Sequence, residues 1–255
     1  KPADIIIPSP SPEAMEQDQI PNLDVLILCG GFGKRLKEIG QNCPKPMVKI
    51  NGRPFLEILI EHISTFGFRR YILCAGFKSE VIEQYFLNKN DDNTYILSKE
   101  DEPLGTGGGI KKAESCILGS TFMVLNGDSI CRANLNDFVE FHKSNNASVS
   151  MAVATIDDVS EYGSVVVNDR SEINEFKEKS DRFKGQGHVN AGIYLFEKPI
   201  LGQIPSGKNI SVEKDVFPSM IGKNFYGFKT TERLFDIGTP QRLEILRNHI
   251  KLTDC

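Results

Sequence analysis

DVLILCGGFGKRL, residues 24–36, is the stretch that decides the fold. The run at 24–29 is typical of a buried β-strand, and Gly30 and Gly31 stop it at once. Apolar residues at helical spacing follow over 55–66, and Gly67 ends them. A strand, a glycine loop and a helix in this order predict the first unit of an α/β fold, in which ligands bind beyond the carboxyl ends of the strands.

The same alternation continues along the chain. Short apolar runs predict strands at 71–75, 94–97, 121–125 and 149–154, and helical spacing predicts helices at 79–86, 106–116 and 135–142. Near-continuous apolar strands separated by helices are typical of a largely parallel sheet that is covered on both faces.

The alternation of predicted strands and helices becomes less regular after Tyr162. Closely spaced β-like runs at 164–167, 172–176 and 189–196 precede helical segments near Glu213 and Pro240. We interpret this as a second subregion on the same sheet, which makes the sheet mixed but mostly parallel. The loops that follow Cys29, Leu97, Leu125 and Phe176 should then converge, and the chemistry is expected there.

Composition excludes several classes of protein. The chain has 255 residues, 34 acidic and 30 basic side chains, and a formal net charge of -4. It has no basic cluster longer than a pair, which argues against nucleic acid, and no apolar run or signal sequence suited to a membrane. The six cysteines form no C-x-x-C pair, so a disulfide framework or a thiolate zinc site is not indicated, and a cytoplasmic location is expected.

Residues 1–22 differ from the rest of the chain. They contain five of the 13 prolines, a composition typical of an extended linker or tail. Because the chain begins with Lys1, two interpretations stay open. The stretch leads from an upstream domain, or it is a processed terminus with no partner domain.

The glycine loop is followed by placed cations. Glycines allow backbone N–H groups to approach phosphate closely, and Lys45 lies between Pro44 and Pro46, whose φ angles are fixed. The loop is neither a dinucleotide fingerprint, since Leu36 stands where the third glycine would be, nor a P-loop. Taken singly, the loop is more often a plain turn and Lys45 a solvated lysine. The two motifs together favour a phosphate site.

GGFGKRL at 30–36 and PKPM at 44–47 together resemble the sugar-1-phosphate nucleotidyltransferases, and the likeness extends from Leu23 to about Ile250. It is strongest to the D-glycero-D-manno-heptose 1-phosphate and mannose-1-phosphate guanylyltransferases. The resemblance implies a Rossmann-like nucleotidyltransferase domain at 23–255, with a nucleotide-binding part at about 23–155 and a sugar-phosphate-binding part at about 156–235.

The same resemblance assigns residues around the glycine loop. It implies that Arg35 and Lys45 are catalytic cations. It also implies a nucleotide-binding group around the loop, consisting of Leu28, Gly30, Gly31, Gly33 and Lys34. The position of Lys34 is commonly threonine in the family, which leaves the role of this residue open.

EPLGTGG at 102–108 resembles the base-binding loop of the family, with Gly105, Thr106 and Gly107 as contacts. The Glu102 carboxylate offers two acceptors to the N1–H and N2–H₂ donors of guanine, and bases without those donors would leave a buried charge unsatisfied. Glu100 and Asp101 are alternatives for this role. A capping or solvated Glu102 is the competing interpretation, and guanine is favoured over the other bases.

Two aspartates are candidates for metal binding. Asp128 follows the predicted strand 121–125, and Asp236 precedes a predicted helix. Each alone is more often a cap or turn residue, but both stand where the family carries its metal ligands. Carboxylates without histidines or thiolates suit Mg²⁺, so this is the cofactor we expect. Asp128 is also assigned to catalysis.

The sugar side is expected from the second subregion. FKEK at 176–179 resembles the family motif in which Glu178 accepts from sugar hydroxyls and Lys179 holds the sugar phosphate. The usual following proline is Ser180 here. NAGIY at 190–194 matches a further motif that implies sugar contacts at Asn190 and Gly192, and Gly163 matches another sugar-contacting glycine.

The reaction that the resemblance implies is transfer of GMP from GTP to a sugar 1-phosphate, which forms a GDP-sugar and pyrophosphate for surface polysaccharide or nucleotide-sugar biosynthesis. Two alternatives stay open. One is a cytidylyl- or uridylyltransferase that takes another NTP and another phosphorylated sugar or small alcohol. The other is a regulatory subunit that binds a nucleotide sugar without catalysis. A homo-oligomer and an upstream domain are possible partners.

Overall fold

A computed structural model describes residues 23–31, 43–159, 164–177 and 185–253. Its strands are β1 Asp24–Leu28, β2 Lys49–Ile50, β3 Arg53–Pro54, β4 Arg70–Ala75, β5 Thr94–Lys99, β6 Thr121–Asn126, β7 Ser129–Cys131, β8 Val149–Ile156, β9 Ser164–Val167, β10 Ile173–Lys177, β11 Gly187–Glu197, β12 Phe225–Thr230 and β13 Leu234–Asp236. The predicted linker at 1–22 lies outside the described residues.

The helices connect these strands. The α-helices are α1 Phe55–Ser64, α2 Ser79–Leu87, α3 Gly105–Lys112, α4 Leu135–Ser144, α5 Phe217–Met220 and α6 Pro240–Thr253. Short 3₁₀ turns lie at Lys45–Met47, Ala113–Cys116 and Lys198–Gln203, and a π-helical turn lies at Val212–Val216.

The main sheet of the described residues has nine strands and is mixed. Its parallel half runs β5–β4–β1–β6, and β11 joins β6 in the antiparallel direction. Beyond β11, β8 pairs with β12 and β9 pairs with β10. The carboxyl ends of β1, β4, β5 and β6 therefore lie at one edge, because these four strands are parallel.

Two apolar layers cover the sheet because side chains alternate along each strand. On β1, Val25 and Ile27 belong to the cluster that packs on α1, α2, α4 and α6. Leu26 points to the other cluster, which contains Ile110 of α3 and Phe217 of α5. The largest side chains are fully buried in these layers, so the loops at the carboxyl edge are held by a rigid core.

The predicted α/β fold is confirmed, including the mostly parallel mixed sheet flanked by helices. Sequence periodicity missed five strands. They are β12, the two-residue strands β2 and β3, which pair with each other, and the three-residue strands β7 and β13, which form another small sheet. Within the described part of the chain, no helix is both long and apolar enough to span a membrane.

Candidate functional site

A cavity of about 330 Å³ opens at the carboxyl edge of the parallel strands. The loops after β1, β5 and β6 meet there, as the sequence predicts. The predicted site residues that line this cavity are Leu28, Gly30, Gly31, Lys45, Gly105, Thr106 and Asp128. Glu100, which the sequence analysis gave as an alternative to Glu102, lines it too, and the lining residues that were not predicted are Pro46, Cys74, Pro103, Asn126 and Asn209.

A buried cation lines the cavity. Lys45 lies in the 3₁₀ turn Lys45–Met47, whose prolines and buried Met47 fix the backbone, and its ammonium forms an ion pair with Asp128. The Lys45 side chain is 10% exposed, whereas that of Asp128 is 41% exposed. An ammonium has three N–H donors, so Lys45 retains donors for a ligand beside Asp128.

The turn before Asp128 depends on Gly127. The Gly127 N–H donates to the Leu28 carbonyl over 3.0 Å, and a Cβ at this position would lie 2.6 Å from the same oxygen. A side chain there would push β6 away from β1. Gly127 therefore brings Asp128 over the end of β1, next to the glycine loop.

A half-buried carboxylate, that of Glu100, also lines the cavity. The Glu100 N–H donates to the Ala75 carbonyl over 2.7 Å, and the Glu100 Oε2 accepts from the Leu104 N–H over 3.2 Å. A Cβ on Gly109 would lie 2.7 Å from Glu100 Oε1. Burial raises the pKa of Glu100 above its ordinary value, although the Leu104 N–H opposes this shift.

Glu102 lies elsewhere. It is exposed, and it borders a separate depression with Asp101, Lys111 and Lys112 on the other side of the loop. Of the three consecutive acidic candidates, the structure brings only Glu100 into the cavity with Lys45 and Asp128.

The glycines of the base loop make room for another backbone. The base loop, residues 102–108, runs into the first turn of α3, and residues 207–210 cross over this turn. A Cβ would lie 2.5 Å from the Ile210 carbonyl oxygen if placed on Gly105, and 2.9 Å from Ile210 Cγ2 if placed on Gly107. Gly105 also has a positive φ of 70°. Gly107 is buried beneath Ile210, so its role in the described structure is packing.

The predicted sugar contacts on β11 lie beside Asn126. The register of β11 against β8 shifts between Asn190 and Tyr194, and Gly192 in the shift has a φ of 72°. A Cβ on Gly192 would lie 3.0 Å from Asn126 Nδ2. Asn190 accepts from the Gly192 N–H and donates to the Tyr194 hydroxyl, both over 2.8 Å, so Asn190 holds this turn.

Asn126 contributes a buried acceptor. Its Oδ1 has no hydrogen-bond partner among the described residues, although the side chain lines the cavity. A buried amide oxygen without a partner costs free energy, so a ligand hydroxyl would stabilise it. Sequence reasoning missed Asn126 as a site residue, although it lies directly at the end of β6.

Asp236 reaches the site through the small β7–β13 sheet. It pairs with Ser129, and the Ile237 N–H donates to the Asp128 carbonyl over 3.0 Å. The Oδ1 atom of Asp236 accepts from the Gly238 N–H over 2.8 Å, and Arg242 donates to the Oδ2 atom of Asp236 over 2.9 Å. A Cβ on Gly238 would lie 2.7 Å from Asp236 Oδ1 and 3.8 Å from Lys45 Nζ, so the turn after Asp236 approaches the lysine that pairs with Asp128.

Several predicted site residues cannot be placed. Gly33, Lys34, Arg35, Gly163, Glu178 and Lys179 lie outside the described residues. Among those described, no group of three or more His, Cys, Asp or Glu side chains is arranged to hold a metal.

Fold and cavity define a class: an α/β protein with a cavity at the carboxyl edge of a mostly parallel sheet, lined by a buried lysine, its partner aspartate and a half-buried glutamate. The Nucleotidyl transferase family matches residues 24–251. The chain belongs to this family.

Individual relatives are similar over most of the chain. A D-glycero-alpha-D-manno-heptose 1-phosphate guanylyltransferase from Aneurinibacillus thermoaerophilus is 35% identical over 86% of this chain and 94% of its own length. A mannose-1-phosphate guanylyltransferase from Mycobacterium tuberculosis is 34% identical over 86% of this chain, which spans 62% of that protein. HddC from Yersinia pseudotuberculosis, crystallised with GMP-PN, is 34% identical, covers 89% of this chain and 99% of its own, and superposes with a TM-score of 0.79.

Proposed function

We propose that the protein transfers GMP from GTP to a sugar 1-phosphate and releases pyrophosphate. The observation that carries this proposal is one cavity lined by both Glu100 and the Lys45–Asp128 pair. A carboxylate suits a base with two adjacent donors, and a buried ammonium suits phosphate. The names of the relatives and the GMP-PN complex of HddC support guanine as the base.

Glu100 takes the base-reading role in this proposal. Its carboxylate accepts from the N1–H and N2–H₂ groups of guanine, while cytosine and adenine present an acceptor at the matching place. A half-buried carboxylate that loses its donors is costly, so selection comes from the penalty for the wrong base. Glu102 is exposed and borders a different depression, which favours Glu100 over Glu102 for this role.

Lys45 aligns and neutralises the reacting phosphates. Both substrates are anions, so their approach is opposed by charge repulsion unless cations lie between them. Lys45 is buried on a stiff turn, and its ammonium is available to stabilise charge at the α-phosphoryl group without reorganising. A sugar phosphate oxygen attacks the α-phosphorus and pyrophosphate leaves. Arg35 would bind the triphosphate and Lys179 the sugar phosphate.

The oxygens near Lys45 fit Mg²⁺. Both assigned ligands, Asp128 and Asp236, supply hard carboxylate oxygens, and Asp128 lines the cavity. These two aspartates would hold Mg²⁺, and the ion would supply positive charge that neutralises the substrate phosphates. Within the chain, Asp128 also keeps Lys45 oriented, and Arg242 keeps Asp236 oriented.

The sugar lies beside Asn126 and Gly192. Gly192 lacks a side chain where one would fill the space next to Asn126, and Asn126 Oδ1 offers an acceptor to a hydroxyl. Asn190 shapes this turn, and Glu178 and Gly163 are expected on the same side. Relatives named for heptose 1-phosphate and for mannose 1-phosphate match at similar identity, so both sugars belong in the assay.

Pyrophosphate release tests the proposal. The purified chain is incubated with Mg²⁺, each of the four NTPs, and either D-glycero-D-manno-heptose 1-phosphate or mannose 1-phosphate. We expect release with GTP and one or both sugars. Release with CTP or UTP in preference to GTP would support a different nucleotidyltransferase, and GDP-sugar binding without any release would support a regulatory subunit.

The Glu100→Gln and Glu102→Gln variants separate the two carboxylates. The variant that loses preference for GTP over the other NTPs identifies the base-reading residue. We expect this loss in Glu100→Gln, because an amide offers one acceptor in place of two. Loss in Glu102→Gln alone would overturn the assignment of Glu100.

A further inference from the structure

A crossing segment, residues 207–213, is hydrogen-bonded to the base loop and contributes Asn209 to the lining of the cavity. The Ile210 carbonyl accepts from the Gly107 N–H over 2.8 Å, and the Ile210 N–H donates to the Leu104 carbonyl over 2.8 Å. Asn209 donates to the Pro103 carbonyl over 2.9 Å. The segment joins the β11 side of the molecule to α5, so residues distant in sequence fix the position of the base loop.

Glu213 lies at the end of the crossing segment and accepts two hydroxyl protons. Thr106 and Ser211 each donate to Glu213 Oε2 over 2.9 Å. Glu213 stands in the π-helical turn Val212–Val216, a rare geometry that is frequent at functional sites. Its carboxylate therefore joins the crossing segment to a residue that lines the nucleotide cavity.

The hydroxyl of Thr106 is oriented by these contacts. The Val212 N–H donates to Thr106 Oγ1 over 2.8 Å, while the single hydroxyl proton of Thr106 points to Glu213. A hydroxyl has one proton and two lone pairs, so one lone pair of Thr106 remains for the cavity. With Glu213 in place, Thr106 faces a ligand as an acceptor.

We propose that Glu213 is a positioning residue for the nucleotide, which acts through Thr106 and the crossing segment without touching the base or the reacting phosphates. This rests on the proposed function. Removal of the Glu213 acceptor leaves the proton of Thr106 without its partner and frees the first turn of α3 to shift against Glu100. GTP binding then weakens, while the chemistry at Lys45 and Asp128 is unaffected.

Steady-state kinetics of Glu213→Ala and Glu213→Gln test this proposal. We expect KM for GTP to rise about tenfold in Glu213→Ala, with kcat and the KM for the sugar 1-phosphate within about twofold, as for loss of an interaction made equally in the ground and transition states. Glu213→Gln retains an accepting oxygen, so its KM for GTP should be close to that of the wild type. Lys214→Ala is the matched control, because Lys214 is exposed on the same turn.

A double variant tests whether the effect passes through Thr106. Thr106→Val alone should raise KM for GTP at least as much as Glu213→Ala, and Glu213→Ala combined with Thr106→Val should be no worse than Thr106→Val alone. Additive effects would overturn the proposal. A rise in KM for the sugar 1-phosphate, or a Glu213→Gln variant as impaired as Glu213→Ala, would also overturn it, since the carboxylate would then act on a substrate directly.

Calorimetric binding of GTP with Mg²⁺ separates this proposal from the proposed function. A wild-type chain that binds GTP but releases no pyrophosphate contradicts the transfer reaction, while the affinity of Glu213→Ala still tests the positioning role. A wild-type chain that turns over, together with a Glu213→Ala variant of equal affinity, contradicts the positioning role alone. Urea unfolding of each variant verifies that the fold is intact.

Discussion

Lys45 is the buried cation on which the proposed transfer depends. Replacing Lys45 by Ala removes the ammonium beside Asp128 and should lower kcat by about 10²–10³-fold, the scale of losing one charge-stabilising donor. Lys49→Ala is the control, because Lys49 is exposed four positions further on. Single-turnover assays with saturating GTP give the rate. Near-normal turnover of Lys45→Ala would remove Lys45 from the mechanism.

Glu100 makes GTP binding sensitive to pH. The carboxylate must be ionised to accept both guanine donors, and burial raises its pKa above the ordinary value. KM for GTP should therefore rise as the pH falls from neutral through this raised pKa. The Glu100→Gln variant has no carboxylate at this position, so its KM should lose that component. An equally steep profile in wild type and variant would contradict the assignment.

At the scale of elements, the glycines at the start of α3 permit the crossing segment to pack. A Cβ on Gly108 would lie 2.5 Å from the Lys208 carbonyl oxygen, so Gly108→Ala should lower the free energy of unfolding by about 1–3 kcal/mol through overpacking. Gly202→Ala is the control, because nothing lies within 4 Å of its Cβ position. Urea unfolding of both variants is the measurement. Equal stabilities would contradict this packing.

The strength of the local pattern decided which elements were predictable. β1, β4 and β6 are nearly continuous apolar runs that are buried on both faces, so periodicity finds them. β7 and β13 have three residues each, which is too short for any period, and they form through pairing with each other. This pairing is a tertiary event that no local window contains.

Acid stability is a property of the whole molecule. Desolvation is the main cause that lowers the pKa of His62, His142, His188 and His249. The unfolded chain therefore binds more protons than the folded chain once the pH falls below about 6.5, the ordinary histidine pKa. Stability should be full above this pH and decrease below it. The raised pKa of Glu100 acts in the opposite direction, but it is a single group.

Urea unfolding at a series of pH values between about 7.5 and 5.5 measures this dependence. His142 should contribute, because it is buried between the Ser150 hydroxyl and the Glu197 carboxylate. His142→Gln should flatten the profile relative to wild type. A free energy of unfolding that stays constant or rises as the pH falls would contradict the expectation.

The convergence of the site was predictable, but its inward-facing residues were only partly so. Parallel strands bring the loops after β1, β5 and β6 to one edge, which places Lys45 and Asp128 correctly from motif and topology. Glu100, rather than Glu102, faces the cavity because the alternation of β5 continues one step past its end. Ser98 is buried, Lys99 is exposed and Glu100 is half-buried. The resemblance at 102–108 favours Glu102, whereas the alternation of buried and exposed residues along β5 favours Glu100.

Asp236 enters the site on β13, which pairs with β7 late in the chain. On the ribosome, the strands that carry the glycine loop, Glu100 and Asp128 are synthesised long before β13. A nascent chain therefore contains every residue that lines the proposed nucleotide cavity before it acquires the second aspartate. In the proposed mechanism, the pair of aspartates that would hold the metal is completed only once the C-terminal part of the polypeptide has been made, and the same part supplies α6 to the core beneath β1.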